Sequence, residues 1–123
     1  MNVRRRVRMR LLPSSAALSL LLMSACLFYT HATVSEVRAA VDAQRLLGSS
    51  VAEAEAKLRQ IELNGHRHLQ VGRYDSQQRE LWAHLGNAGR DLMSTWSINV
   101  VVKFDMTGHA IDIDTHSSSD NPL

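Results

Sequence analysis

Asp112, Asp114 and His116 stand two residues apart near the C-terminus, a spacing that puts three side chains on one face of a β-strand. Two carboxylates and an imidazole on one face are donors of the kind that hold zinc or manganese, which makes them the candidate metal site. A calcium loop would need a central Gly and a distal Glu that this stretch lacks. The plainer reading is a solvated sheet edge, where charge discourages the pairing of a further strand. His66 and His68 form a second His-x-His pair. Nucleophilic chemistry finds less support. The serines fall in helix caps and the tail, no Gly-x-Ser-x-Gly elbow is present, and the one cysteine, Cys26, lies in an N-terminal apolar run. The expectation is a protein that is not an enzyme and uses no cofactor. Trp82 is the remaining candidate. Leu81, Ala83 and Leu85 share one strand face, so Trp82 and His84 occupy the other. There Trp82 either contacts a partner protein or, in the more ordinary case, lies beneath the segment 86–91.

The elements that must place these side chains are legible in part. Thr33 with Glu36, and Ser50 with Glu53, have the spacing of helix-opening capping boxes. Val34, Val37 and Val41 follow the first at helical spacing, with Gly48 suited to stop that helix. Val51, Ala54, Leu58 and Ile61 form the apolar stripe of the second, which Asn64-Gly65 is expected to end. Glu53 with Lys57 and Glu55 with Arg59 are four-residue pairs that read as a solvated face. After Gly65 the period changes to that of strands. His68 to Tyr74 and Arg79 to Leu85 are expected strands joined by the polar turn at residues 75–78, and 86–91 is an expected loop. Trp96, Ile98, Val100, Val102 and Phe104 alternate along a third strand, with Ser97, Asn99 and Lys103 on its other side. Asp105 to Gly108 makes a turn with Gly108 free to take positive φ, and His109 to Thr115 returns with Ile111 and Ile113 inward. The expected architecture is α+β: two N-terminal helices packed on one face of a three- to four-stranded antiparallel meander, with a disordered tail at 117–123.

The chain's 123 residues carry a net +2, but the charge is unevenly placed. Arg4, Arg5, Arg6, Arg8 and Arg10 precede Cys26, which leaves nine basic against 12 acidic side chains in the 97 residues after it. A nucleic-acid partner is not expected from a domain of net negative charge. An arginine-led segment followed by an apolar run from Leu11 to Met23 is an export signal rather than part of a fold. Ser24-Ala25-Cys26, preceded by Met23 where Leu is usual, resembles the lipobox of bacterial lipoproteins. The resemblance implies that Cys26 is the lipid-attachment residue and the first residue of the mature chain, with acyl chains holding the protein to the membrane. Two alternatives stay open. One is an uncleaved anchor that continues to about residue 32, carrying a single-pass protein with an extracytoplasmic structural or regulatory domain. The other is an ordinary cleaved signal. All three place the domain of residues 33–116 outside the cytoplasm.

The stretch Gly48-Ser49-Ser50-Val51-Ala52-Glu53-Ala54 resembles the Gly-x-Ser/Thr-x-x-acidic helix opening of the SmpA/OmlA family of small outer-membrane lipoproteins. The hairpin from Val101 to Ile111 resembles that family's final strands across an Asp-x-x-Gly turn, although Leu63-Asn64-Gly65-His66 stands where the family has Leu-Gly-x-Pro. What the resemblance implies is a non-catalytic envelope lipoprotein, tethered through membrane lipid and bound to another envelope protein.

Overall fold

Residues 29–30 and 32–119 are described by the computed structural model. The Arg-rich start, the apolar run and Cys26 lie outside the described residues. Thr33 and Ser50 open the two helices as their spacing to Glu36 and Glu53 requires. Each side-chain oxygen accepts the backbone N–H three residues on, at 3.2 Å, and meets one of the donors a helix start leaves unpaired. Helix α1 covers Val34–Ala43 and α2 covers Val51–Gln60. Both stop earlier than the glycines suggest. Gln44 caps α1 and Ile61 caps α2. Gly48 lies in the connection at φ +84, with its N–H donated to the Ala110 carbonyl at 2.8 Å. Asn64 and Gly65 turn a small hairpin between β2 (Glu62–Leu63) and β3 (Arg67–His68).

The sheet is an antiparallel meander of three long strands: β5 (Glu80–Arg90), β6 (Thr95–Phe104) and β7 (Ala110–Ser119). Two short strands share the other edge of β5. Strand β4 (Gln70–Val71) pairs with its middle, and β1 (Tyr29–Thr30) pairs with Gly89 and Arg90 at its end. The sheet thus has five strands, one more than the upper expectation. The class is α+β, two helices with antiparallel strands. One buried cluster unites Val37 and Val41 of α1, Ala54 and Leu58 of α2, and Leu81, Ala83, Leu85, Ile98, Val100 and Val102 of the sheet. Alternate strand positions feed that cluster, as the pleat dictates.

Four expectations are corrected. The segment 86–91 is not a loop, because β5 continues to Arg90 through a register shift between Leu85 and Gly89. Asn87 sits there at φ +54. The Arg67 guanidinium holds the irregular stretch by donating to the Gly86 carbonyl and, at 2.9 Å, to the Asn87 carbonyl. Gly89 lies under the Trp96 ring, where a Cβ would stand 2.0 Å from the nearest ring carbon. Ile111 does not face inward. The pairing slips between Lys103–Asp112 and Phe104–Ala110, which leaves Ile111 unpaired and 60% exposed while Ala110 enters the core. The tail is ordered as far as Ser119, since residues 117–119 belong to β7 and pair with β6. Finally, Tyr29, Thr30 and Ala32 join the structure that the expected boundary at residue 33 leaves out. Tyr29 and Thr30 pair in the sheet, and Ala32 is buried with its N–H on the Ala88 carbonyl at 3.2 Å. Among the described residues no helix is long and apolar enough to cross a membrane.

Candidate functional site on the second sheet face

The face of the meander opposite the core cluster collects the remaining side chains in three cross-strand rows. Antiparallel register sets Glu80 beside Lys103 beside Asp112, Trp82 beside Val101 beside Asp114, and His84 beside Asn99 beside His116. Directly opposite residues on one face stand close enough to interact. The top row alternates acid, base and acid, so the like charges of Glu80 on β5 and Asp112 on β7 are separated by Lys103 on β6. The middle row is apolar at its centre. Val101 is buried, whereas Trp82 is 45% exposed.

Trp82 is fixed on two sides. Its indole N–H donates to Glu80 Oε2 at 3.0 Å, and its ring meets the His116 ring edge-on, centroids 6.2 Å apart at 90°. His116 is in turn tied to its own strand, with Nδ1 2.8 Å from Asp114 Oδ2. Donation from Nδ1 leaves Nε2 of His116 as the acceptor of the neutral ring. The bottom row is a relay of hydrogen bonds. His84 Nδ1 lies 2.8 Å from Asn99 Oδ1, and Asn99 Nδ2 donates to Ser118 Oγ at 3.0 Å. Because the Asn99 amide donates toward Ser118, its oxygen faces His84, which makes Nδ1 the donor on that imidazole. A shallow groove between Trp82 and the edge strand is lined by Glu80, Lys103, Asp112, Asp114 and His116.

The sequence candidates therefore meet in part. Asp114 and His116 touch, while Asp112 sits in the row of Lys103. Among the described residues no three His, Cys, Asp or Glu side chains come together as a set able to hold a metal ion. His66 and His68 are elsewhere, on the β2–β3 hairpin, with His66 hydrogen-bonded to Glu62. Trp82 does not lie beneath residues 86–91. Those residues extend its own strand, and the ring stands among β5, β6 and β7 side chains.

No family model, curated protein or solved structure matches this chain.

Sequence reasoning treated Trp82 and the Asp112–His116 group as separate features. It placed His84 beside Trp82 on one strand face but did not join either to Glu80, Asn99, Lys103 and Ser118. The alternation of each strand carried that information, but the joining depends on register. The β6–β7 register depends on the bulge at Ile111, which the sequence marks only by Gly108.

Two further carboxylates have work elsewhere. Asp91 Oδ1 accepts the Met93 N–H, the Ser94 N–H and the Ser94 hydroxyl at 2.9, 2.7 and 3.1 Å. Asp105 Oδ1 accepts the Thr107 hydroxyl, the His109 N–H and the Thr107 N–H at 2.7, 3.0 and 2.9 Å. The Met93 and Ser94 amides hold the Asp91 carboxyl below its ordinary range, and the Thr107 hydroxyl with the His109 amide does the same for Asp105. These are turn-forming carboxylates at the two hairpin tips.

Proposed function

We propose that this chain is a non-enzymatic, membrane-tethered envelope lipoprotein, held through Cys26, whose α+β domain binds another envelope protein through the face that carries Trp82. In this reading α1 and α2 lie across one face of the meander and the second face is left for a partner. The observation that carries the proposal is Trp82 itself. A large aromatic ring is held in place by Glu80 and His116 and still keeps nearly half its surface open, beside the buried Val101 and inside a rim of charged side chains. An immobilised aromatic with a polar rim is the arrangement in which few residues carry most of a protein–protein contact.

The arginine-led start and the Met23-Ser24-Ala25-Cys26 run support the tether, and the place of β1 favours a lipidated cysteine over an uncleaved helix. Pairing of Tyr29 and Thr30 with β5 supports this over an anchor that continues to about residue 32, and Pro13 interrupts the apolar run from Leu11 to Met23.

The test is a Trp82→Ala variant in the full chain, purified from native membranes beside the parent. Because the ring is half exposed, the variant is expected to keep the parent's melting temperature within about 3 °C, the shift of a surface substitution. It is also expected to lose the proteins that co-purify with the parent. A folded Trp82→Ala protein that retains every companion would overturn the interface.

A further inference from the structure

We propose that the tip of the β5–β6 hairpin, Leu92-Met93, enters the surface of a phospholipid bilayer beside the lipid anchor and so fixes how the domain stands on the membrane. The proposal rests on the anchoring reading above and adds a second point of attachment. Leu92 and Met93 are adjacent, 64% and 65% exposed, and project from a turn that holds its own shape. The Asp91 carboxylate is occupied by three donors of that turn, and the Asp91 N–H donates to the Ser94 carbonyl at 2.9 Å. Two apolar side chains therefore lead the tip while its one acid is tied back into the backbone.

The second observation is where the preceding chain joins the domain. Strand β1 runs antiparallel to β5, with Tyr29 opposite Arg90 and Thr30 opposite Gly89. The chain before Tyr29 thus arrives at the Arg90 end of β5, the end that carries the Leu92-Met93 tip. Cys26 is three residues from Tyr29, so even a fully extended chain places its sulfur attachment within about 10 Å of the sheet. The tip extends beyond Arg90 by two residues on each arm, a reach of about 7 Å in strand geometry. A tether that short cannot hold acyl chains in a bilayer while keeping the hairpin tip far from it. Exposed Arg90 stands at the same end, where the headgroup region accommodates a cation. The β6–β7 tip at the opposite end carries Met106, also exposed, and it faces away from the membrane in this arrangement.

Two labelled full-length chains test this, Met93→Cys and Met106→Cys, each carrying an environment-sensitive fluorophore on the new thiol. The parent, whose only cysteine is Cys26, provides the blank. The proteins are reconstituted into phosphatidylethanolamine–phosphatidylglycerol vesicles with and without brominated acyl chains. Blue-shifted emission at position 93, quenched by brominated lipid at least about twofold more than at position 106, is the expected result for a tip at the acyl boundary. Solvent-like emission at both positions on protein that sediments with the vesicles overturns the tip contact and leaves the anchor standing. Equal quenching at both positions overturns the fixed orientation. A blue shift at 93 without quenching assigns the tip to a protein contact and overturns lipid as its occupant. Protein that fails to sediment with the vesicles at all overturns the anchor and the tip together.

Discussion

Single residues set the geometry at three places where the sequence looks unremarkable. Gly89 is required by close approach rather than by a turn, since the Trp96 ring occupies the space a side chain would need. Gly89→Ala is therefore expected to destabilise the domain by about 2 kcal/mol, the usual cost of overpacking, read as a lowered denaturation midpoint. The same change in a Trp96→Ala background should cost much less, because the ring that clashes is gone. Asp91 and Asp105 act on the pH axis. Their carboxyls are held below the ordinary value of 3.8 by turn amides and, for Asp105, first by the Thr107 hydroxyl. A carboxyl whose folded pKa is depressed stabilises the fold fully above the unfolded value, and the contribution disappears as pH falls through the folded value. Melting temperature should thus fall as the solution is acidified below about pH 4. A double Asp91→Asn, Asp105→Asn variant should show a shallower fall, since an amide oxygen keeps the turn bonds without the titration. Identical acid profiles for parent and variant would remove these two groups from the account.

At the scale of elements, what could be read in advance followed the strength of local signals. Both helix starts were legible because Thr33 and Ser50 serve a purely local need, three residues from the amide they accept. The β6 strand was legible because its alternation runs unbroken from Trp96 to Phe104. The second half of β5 was not. Gly86, Asn87 and Gly89 have the composition of a loop, yet Arg67 from a distant hairpin and the Trp96 ring hold them in the sheet, and neither partner is visible locally. Residues 117–119 were obscured for a related reason. They are serines at the end of an edge strand, where one side of the ladder meets solvent and apolar side chains are unnecessary. Ile111 shows how one unpaired residue defeats an alternation rule, since the slip beside Phe104 turns it outward. This yields a sharp contrast between two residues of the same type. Ile111→Lys should change unfolding free energy by less than about 0.5 kcal/mol, whereas Ile113→Lys, which places a charge against the core cluster, should cost several times that. Equal losses in a urea titration would mean that the register of β7 is wrong.

For the molecule as a whole, the candidate site is a property of the assembled sheet. No pair of neighbours in sequence brings Glu80, Trp82, Lys103, Asp114 and His116 together; the β5–β6–β7 register does. The chain also divides by charge, with arginines before Cys26 and net acidic sequence after it, and the proposed reading takes these as a leader left on one side of a membrane and a domain delivered to the other. The place of β1 makes the division abrupt, because a strand of the sheet lies three residues after the cysteine. In the proposed reading, a domain tethered through Cys26 stands against the bilayer rather than on a stalk, with the Trp82 face running away from the surface. Intact-mass spectrometry of the protein extracted from the membrane fraction tests this account most directly. It predicts a chain that begins at Cys26 and carries the added mass of two or three acyl chains. A full-length chain from Met1, unmodified and recovered from the soluble cytosolic fraction, would contradict it.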